Sequence, residues 1–499
     1  MNKSTEPNRF PAWLRGWGWL AFGILGLATV ILVGRWLVMN SGHEATMRIV
    51  NARRKLPPPH ALAAPIAPAA APFQPAAAHG MPLSAVLYFG NVLTGDKKQW
   101  DEFSTKLREI GVFLQRYPRV HSEFVDGVTS FRAILQNMGA EVPETMTEAE
   151  AAAKYLKLAD RFSSLLAQWR EAVAKGHMDG GTADDVVNPG IYRFRILSVN
   201  MALLLTMTAE AHLQTGDAGA AWADWQTMKN SADRVSELFS FDMKGGSFER
   251  NRMFELARSG LRSGAWTDDQ LAEISSEVAR ENFLAFGLWD QEREKASLAD
   301  YYNHFQEHEK QIRRDILETP SPVNKTVNQL TMSLTTDQQI RDNVDLMLSR
   351  VDQRLSYFDP ETGFYMRPTE EEIAAYKESQ KSSSSPYFIY ANAQQDNGDP
   401  DQSRAEWVIH EQSEYDQFRL AAALETYQHR TGSYPDSLDA IGGSFPDGAP
   451  RDIATGQPYL YQRDAEGGYK LWGTGIDGKS EGGNEKTDIT WKHRPVKRK

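Results

Sequence analysis

There is no cysteine among the 499 residues, which excludes disulfides, zinc–thiolate and iron–sulfur sites, thiol nucleophiles and a lipoprotein-type acylation site. Positive charge is also short. Lys and Arg number 55 against 66 Asp and Glu, a formal net charge of -11, so nucleic acid is not an expected partner: most of the surface repels backbone phosphates. The composition that remains, 41% hydrophobic and 24% charged, suits a globular chain that buries a sizeable core. Its length exceeds the roughly 100–200 residues of one domain, so more than one folded unit is expected.

Long apolar runs are scarce as well. The one that exists, GWGWLAFGILGLATVILVG from Gly16 to Gly34, is uncharged and continues after Arg35 as WLVMN. It is long enough to cross about 30 Å of hydrocarbon as a helix. Trp13, Trp17 and Trp19 at one end and Trp36 at the other suit the headgroup level. A cleavable signal peptide has a shorter core and a small-x-small site, whereas bulky Trp36, Leu37 and Met39 follow here. Residues 16–40 therefore read as an uncleaved transmembrane helix that partners the lipid bilayer, after a cytoplasmic 1–15. The basic residues on its two flanks do not decide orientation.

Residues 41–82 read as a stalk. From 56 to 82 it is rich in Pro and Ala, cannot form a core, and extends as polyproline II at about 3.1 Å per residue, up to about 80 Å. Such a spacer fits a body held outside the cytoplasmic membrane, hence an inner-membrane, single-pass protein with a periplasmic body.

Residues 83–356 read as an antiparallel α-helical array or bundle. Trp100, Phe103, Leu107, Ile110, Leu114 and Tyr117 recur at three and four, and alternating strand patterns are nearly absent. Helices are expected over 119–138, 147–175, 189–215, 218–240, 250–262, 267–284, 286–316 and 324–356. Caps are expected at Thr145–Glu148 (TMTE) and at Thr267 before Asp268 and Asp269. The stretch AEAHLQTGDAGAAWADWQTM resembles a tetratricopeptide repeat: Ala209 and His212 on one helix, a turn at Gly216–Asp217, then Ala221 and Trp225 on the next. With one such copy the expectation is a TPR-like hairpin, in which His212 packs rather than ligates. Residues 357–404, rich in Ser, Asn, Gly and Asp toward their end, read as a loop or linker.

Residues 405–499 read as a small α+β module with a basic tail, KHRPVKRK. A helix from Glu406 ends at Gly432; PYLYQ and GYKLWG alternate around an Ala465–Gly468 turn as a hairpin; DITW is a third strand. The order GSYPDSLDAI, RDIATGQPYLY, YKLWGTGIDGKSEGG and TDI resembles the periplasmic half of type II secretion major pseudopilins. The chain as a whole resembles bacterial single-pass membrane proteins with a helical middle that end in the same cassette. It departs from the pseudopilins in three ways: one extra residue between Asp452 and Gly456, residues 41–404 between span and module, and no acid within Gly16–Gly34. Filament assembly is therefore not expected. The resemblance implies a calcium site in the glycine-rich loop, falling on Asp477 and Asp488, since hard oxygen ligands suit that ion. No other cofactor is expected.

One enzyme signal needs weighing. His304, Glu307 and His308 form H-x-x-E-H, the spacing of an inverted zinc-protease motif. The densely charged helix around it favours a solvated face, and no spacing singles out a third ligand. His410–Glu411 is half of H-E-x-x-H, with Glu414 where the second histidine belongs. The expectation is a non-enzymatic scaffold or protein-interaction protein near a secretion or envelope assembly, whose envelope protein partner the sequence does not name. The alternatives are a zinc hydrolase using residues 304–308 and a pseudopilin-like secretion subunit.

Overall fold

Gly216 and Asp217 explain the best-defined part of the fold. In the computed structural model, helix α4 (Pro189–Thr215) opens on a proline, whose missing N–H costs nothing in a first turn. It stops at Gly216, with φ +82, a left-handed value that glycine adopts without steric cost. The Gly216 amide then donates to the Leu213 carbonyl and the Asp217 amide to the His212 carbonyl, a Schellman closure. Asp217 next accepts the Ala220 amide on Oδ1, at 3.0 Å, and so caps α5 (Ala218–Leu238). Two adjacent residues end one helix and begin its antiparallel partner.

The structure describes residues 128–174, 189–238, 243–288, 336–353, 361–369 and 400–493, with positions 109, 124–125, 291–292, 295, 355, 357–359, 371 and 374. The expected span and stalk, and the helix bearing residues 304–308, lie outside them. Among the described residues no helix is long and apolar enough to cross a membrane. The described fold is mainly helical, with a small three-stranded antiparallel sheet near the C-terminus. The chain divides into two compact units: residues 64–286, 361–365 and 408–499 form the larger, and 1–63, 287–360 and 366–407 the smaller.

In the larger unit, β1 (Phe124–Val125) and β2 (Val128–Thr129) form a short antiparallel pair, so among the described residues of the helix expected over 119–138 only α1 (Phe131–Asn137) is helical. The Asp126–Gly127 dipeptide between two Val residues is a hairpin signal that overrides the helical spacing. Helix α2 (Glu148–Ala159) begins with a capping box on Thr147 and Glu150, two residues later than the expected TMTE. Glu148 does other work: its carboxylate accepts the Phe131 and Arg132 amides and the Ser130 hydroxyl, holding the start of α1. A 3₁₀ turn at Asp160–Phe162 separates α2 from α3 (Ser163–Ala174).

Helix α6 (Met243–Arg262) packs on both α4 and α5, and α7 (Asp268–Ala279) follows with the expected cap on Thr267, closed by Gln270. The core between α4 and α5 needs small residues. Ala209, Ala211 and Ala221 are fully buried, and the room they leave is filled by Trp225, stacked on Trp222 at 4.8 Å. Burying such a ring stabilises by several kcal/mol, since Trp→Ala in a core costs about 3–5 kcal/mol.

Helix α8 (Asp337–Gln353) and α9 (Pro400–Thr431) follow in the chain. In the smaller unit α8 buries Leu346 and Val351. Within the larger unit, residues 408–431 of α9 lead into a 3₁₀ turn (Leu438–Ser444) and the sheet β3 (Leu460–Arg463), β4 (Tyr469–Gly473) and β5 (Ile489–His493), in the order β3–β4–β5. The register sets Arg463, Tyr469 and His493 in one row and Tyr461, Leu471 and Trp491 in another, and these two rows share a face. Tyr469, His493, Leu471 and Trp491 are buried there.

Helices α6 and α9 meet along an aromatic seam. Phe254 stacks on Tyr415 at 3.9 Å and meets Phe418 edge-on at 5.5 Å, while Phe283 approaches Tyr415 edge-on. Arg258 binds Glu414 at 2.9 Å, and the guanidinium groups of Arg258 and Arg262 lie 4.9 Å and 5.2 Å from the Trp491 ring. Buried cation–π contacts of this kind each contribute about 1–2 kcal/mol.

Candidate functional site

The helix pair brings together the residues that the repeat resemblance names. Ala209, Ala221 and Trp225 are core, and His212 lies half-buried with Nδ1 3.8 Å from Asp217 Oδ2. Deeper polar groups accompany them. Asp224 is buried, paired with Arg170 and hydrogen-bonded by the Thr208 hydroxyl at 3.0 Å; burial still outweighs these partners and raises its carboxyl. Burial pushes Glu210 up to about 7, against the pull of Ser259 and Arg262. Ser198 donates to buried Glu249 at 2.8 Å.

The glycine-rich loop between β4 and β5 folds onto the sheet. Trp472 Nε1 donates to Ser480 Oγ at 2.9 Å, and Lys470 Nζ donates to the Gly482 carbonyl. Gly475, at φ +63, passes so close to β5's approach that a Cβ there would lie 2.7 Å from the Thr487 carbonyl oxygen. Asp488 is 5% exposed, and its carboxylate gathers the amides of Glu481, Gly483 and Asn484, at 2.7–3.1 Å on Oδ2. Asp477 Oδ1 accepts the Lys479 amide at 3.0 Å. Both carboxylates named by the calcium resemblance thus hold backbone amides of their own loop. Among the described residues no group of three or more His, Asp or Glu is arranged to hold a metal. His304, Glu307 and His308 lie outside the described residues.

Asp452 organises the extra-residue turn. It accepts the Thr474 amide and hydroxyl on Oδ2, at 2.9 Å and 2.8 Å, and the Ala454 amide on Oδ1, which ties the 451–458 turn to the end of β4. Tyr459 donates to Asp416 on α9 at 3.3 Å, and burial raises that carboxyl to about 6 despite Arg419 and its donors.

One cluster was not visible in the spacing of residues. Glu425 on α9, 6% exposed, accepts the Tyr434 hydroxyl at 2.8 Å and the Tyr469 hydroxyl at 3.3 Å. His493, 4% exposed, stacks on Tyr469 at 5.1 Å and places Nε2 3.4 Å from Glu425 Oε1. Burial, reinforced by Arg262, depresses the imidazole to about 4, so the ring is neutral at neutral pH. With the ring proton on Nε2, facing the carboxylate, Nδ1 carries a lone pair, and this buried atom has no hydrogen-bond partner. In the sequence Tyr434 belongs to the G-x-Y-P turn, Gly432–Pro435, at the start of the GSYPDSLDAI segment. Its pairing with Glu425, nine residues earlier, is a local signal that sequence inspection can use.

Compared with protein-family models, with curated proteins and with solved structures, the chain matches none.

Proposed function

We propose that the chain is a non-enzymatic, single-pass membrane protein that holds an interaction body outside the cytoplasmic membrane on its Pro/Ala stalk. The seam between α6 and α9 carries this reading. Phe254, Tyr415, Phe418 and Trp491 interlock with Arg258 and Arg262, so the helical array and the module that follows α9 act as one block in the larger unit. Such a block suits presentation of a fixed surface to a partner. The buried acids Asp224, Glu249 and Glu425 support the same reading, because each is engaged by neighbouring side chains within the core. The likeness of the C-terminal order GSYPDSLDAI to YKLWGTGIDGKSEGG to pseudopilins directs the search for that partner to secretion or envelope assemblies.

The test is fractionation of the full chain from a bacterial host, followed by protease treatment before and after the cell envelope is permeabilised. The reading expects the chain to stay with membranes through an alkaline wash, to be digested only once the envelope is opened, and to become soluble when residues 16–40 are deleted. A full chain that partitions into the soluble fraction would sink it.

A further inference from the structure

Residues 361–365 (ETGFY) belong to the larger unit, whereas the chain on either side of them, 287–360 and 366–407, does not. They dock on the 451–458 turn at the entry to β3. The Tyr365 amide donates to the Ile453 carbonyl at 2.8 Å. The Phe364 ring lies against Gly456, where a Cβ would fall 2.9 Å from Phe364 Cδ2 and 3.1 Å from its Cε2. Those distances leave no room for a side chain at position 456. Tyr365, Ile453 and Ala454 are all buried.

Each side of this contact holds its own shape. On the turn, the Asp452 amide donates to the Gln457 carbonyl at 2.8 Å and the Gly456 amide to the Asp452 carbonyl at 2.7 Å. Arg451 Nη1 donates to the Gly456 carbonyl at 3.2 Å, and the Asp452 carboxylate fixes the turn to Thr474 at the end of β4. These bonds use no atom of residues 361–365, so the turn keeps its form when they leave. This is also the turn that carries one residue more than the pseudopilin order between Asp452 and Gly456. On the other side, Gly363 turns the chain at φ +72, a left-handed value that suits glycine, and the Met366 amide closes on the Tyr357 carbonyl at 2.6 Å. These features use no atom of the turn.

We propose that the 451–458 turn is a preformed seat for a Gly-Phe-Tyr segment, and that residues 361–365 fill it in cis as a releasable clip. The Ile453 carbonyl holds the main chain, and the missing side chain at Gly456 admits the aromatic ring. Main-chain bonding for affinity and a shaped recess for specificity is the division of labour in peptide recognition along a backbone edge. A partner that presents the same pattern displaces the clip. A tethered segment acts at an effective concentration of the order of mM, so the filled seat rejects a dilute partner and the emptied seat accepts it. The proposal does not depend on residues 16–40 spanning a membrane.

The test is fluorescence anisotropy with a labelled peptide of residues 359–368 (DPETGFYMRP), on the full chain in a nonionic detergent. The double variant Phe364→Ser, Tyr365→Ser empties the seat. It is expected to bind the peptide at least tenfold more tightly than the parent does, with the parent's circular dichroism and melting temperature. A peptide carrying the same two replacements is expected to bind it at least tenfold more weakly. Adding Gly456→Ala to the double variant is expected to abolish binding. Adding Gly448→Ala instead, at φ +91 with nothing within 4 Å of its Cβ, imposes a similar backbone strain and is expected to leave binding intact. In the otherwise unaltered chain, chymotrypsin reads the clip directly: cleavage after Tyr365 is expected to be at least tenfold faster in Gly456→Ala than in Gly448→Ala. The proposal is overturned if the emptied chain binds the peptide no better than the parent or not at all, if the replaced peptide binds equally well, or if the two glycine variants behave alike.

Discussion

Gly260 lies in the last turns of α6, where helix propensity alone predicts that alanine stabilises by about 1 kcal/mol. The structure predicts the reverse. A Cβ built on Gly260 falls 1.9 Å from Cε2 of Trp266 and 2.2 Å from its Cζ2 and Nε1. Ordinary contact begins at 3.4 Å, so the ring must retreat by 3.4 − 1.9 = 1.5 Å. It has little freedom to do so. Trp266 is 3% exposed, meets Trp222 edge-on at 5.7 Å, and donates from Nε1 to the Ala257 carbonyl at 2.9 Å. Overpacking of this kind costs about 1–3 kcal/mol. The lost Nε1 hydrogen bond adds about 1 kcal/mol. The propensity gain offsets about one of these, leaving Gly260→Ala destabilised by about 1–3 kcal/mol. Gly219 on α5 is the control: its Cβ would meet only Asp217 Oδ1, at 3.7 Å, so Gly219→Ala is expected to be neutral or mildly stabilising. Urea unfolding followed by circular dichroism measures both, and tryptophan fluorescence reports on the ring itself. A Gly260→Ala protein as stable as the parent would refute the packing argument.

Two further outcomes follow from buried carboxylates. Glu210 titrates near 7 when folded and near its ordinary 4.5 when unfolded, so between these values the folded chain holds a proton that the unfolded chain has released. Stability from this group is therefore present at acidic pH and lost as pH rises through that window, by an amount of the order of 3 kcal/mol. Glu210→Gln is expected to flatten the fall in urea midpoint between pH 5 and pH 8, and an unchanged slope would count against it. Asp488→Ala removes the acceptor of three loop amides and is expected to cost about 2 kcal/mol in the presence of a chelator. A loss that appears only when calcium is added would instead make Asp488 an ion ligand, as the pseudopilin resemblance implies.

The elements that sequence reading located well are those whose instructions are local. The 189–215 helix carries its proline start and its Gly216–Asp217 end within its own residues, and the observed bounds agree. The Ala465–Gly468 turn and the alternation on either side of it define β3 and β4 without reference to the rest of the chain. Local reading fails where two local signals compete. Thr145-x-x-Glu148 and Thr147-x-x-Glu150 both fit a capping box, and the choice between them is made by tertiary structure, because α1 recruits Glu148 for its own amides. Over 119–138 the apolar spacing fits a helix, yet Phe124–Val125 and Val128–Thr129 form a strand pair.

The polar cluster around Glu425 was out of reach for a different reason. Tyr469 and His493 adjoin only through the strand register, and both meet Glu425 only because α9 lies on that face of the sheet. No spacing rule joins residue 425 to residue 493. What the sequence does display is an anomaly of residue type: in β5, His493 falls two positions after Trp491, on the same inward face, where an apolar residue is the default. A histidine placed in a core row requires a polar neighbour, and the two nearest tyrosines, at the G-x-Y-P turn and at the start of β4, require an acceptor for their hydroxyls. One buried acid on the covering helix answers all three demands. Glu425 is the acid that does so, with Arg262 of α6 and Asp464 of the β3–β4 turn also acting on the imidazole. Replacing Glu425 by Leu would therefore strand two phenols at once, a larger loss than the apolar gain of the substitution.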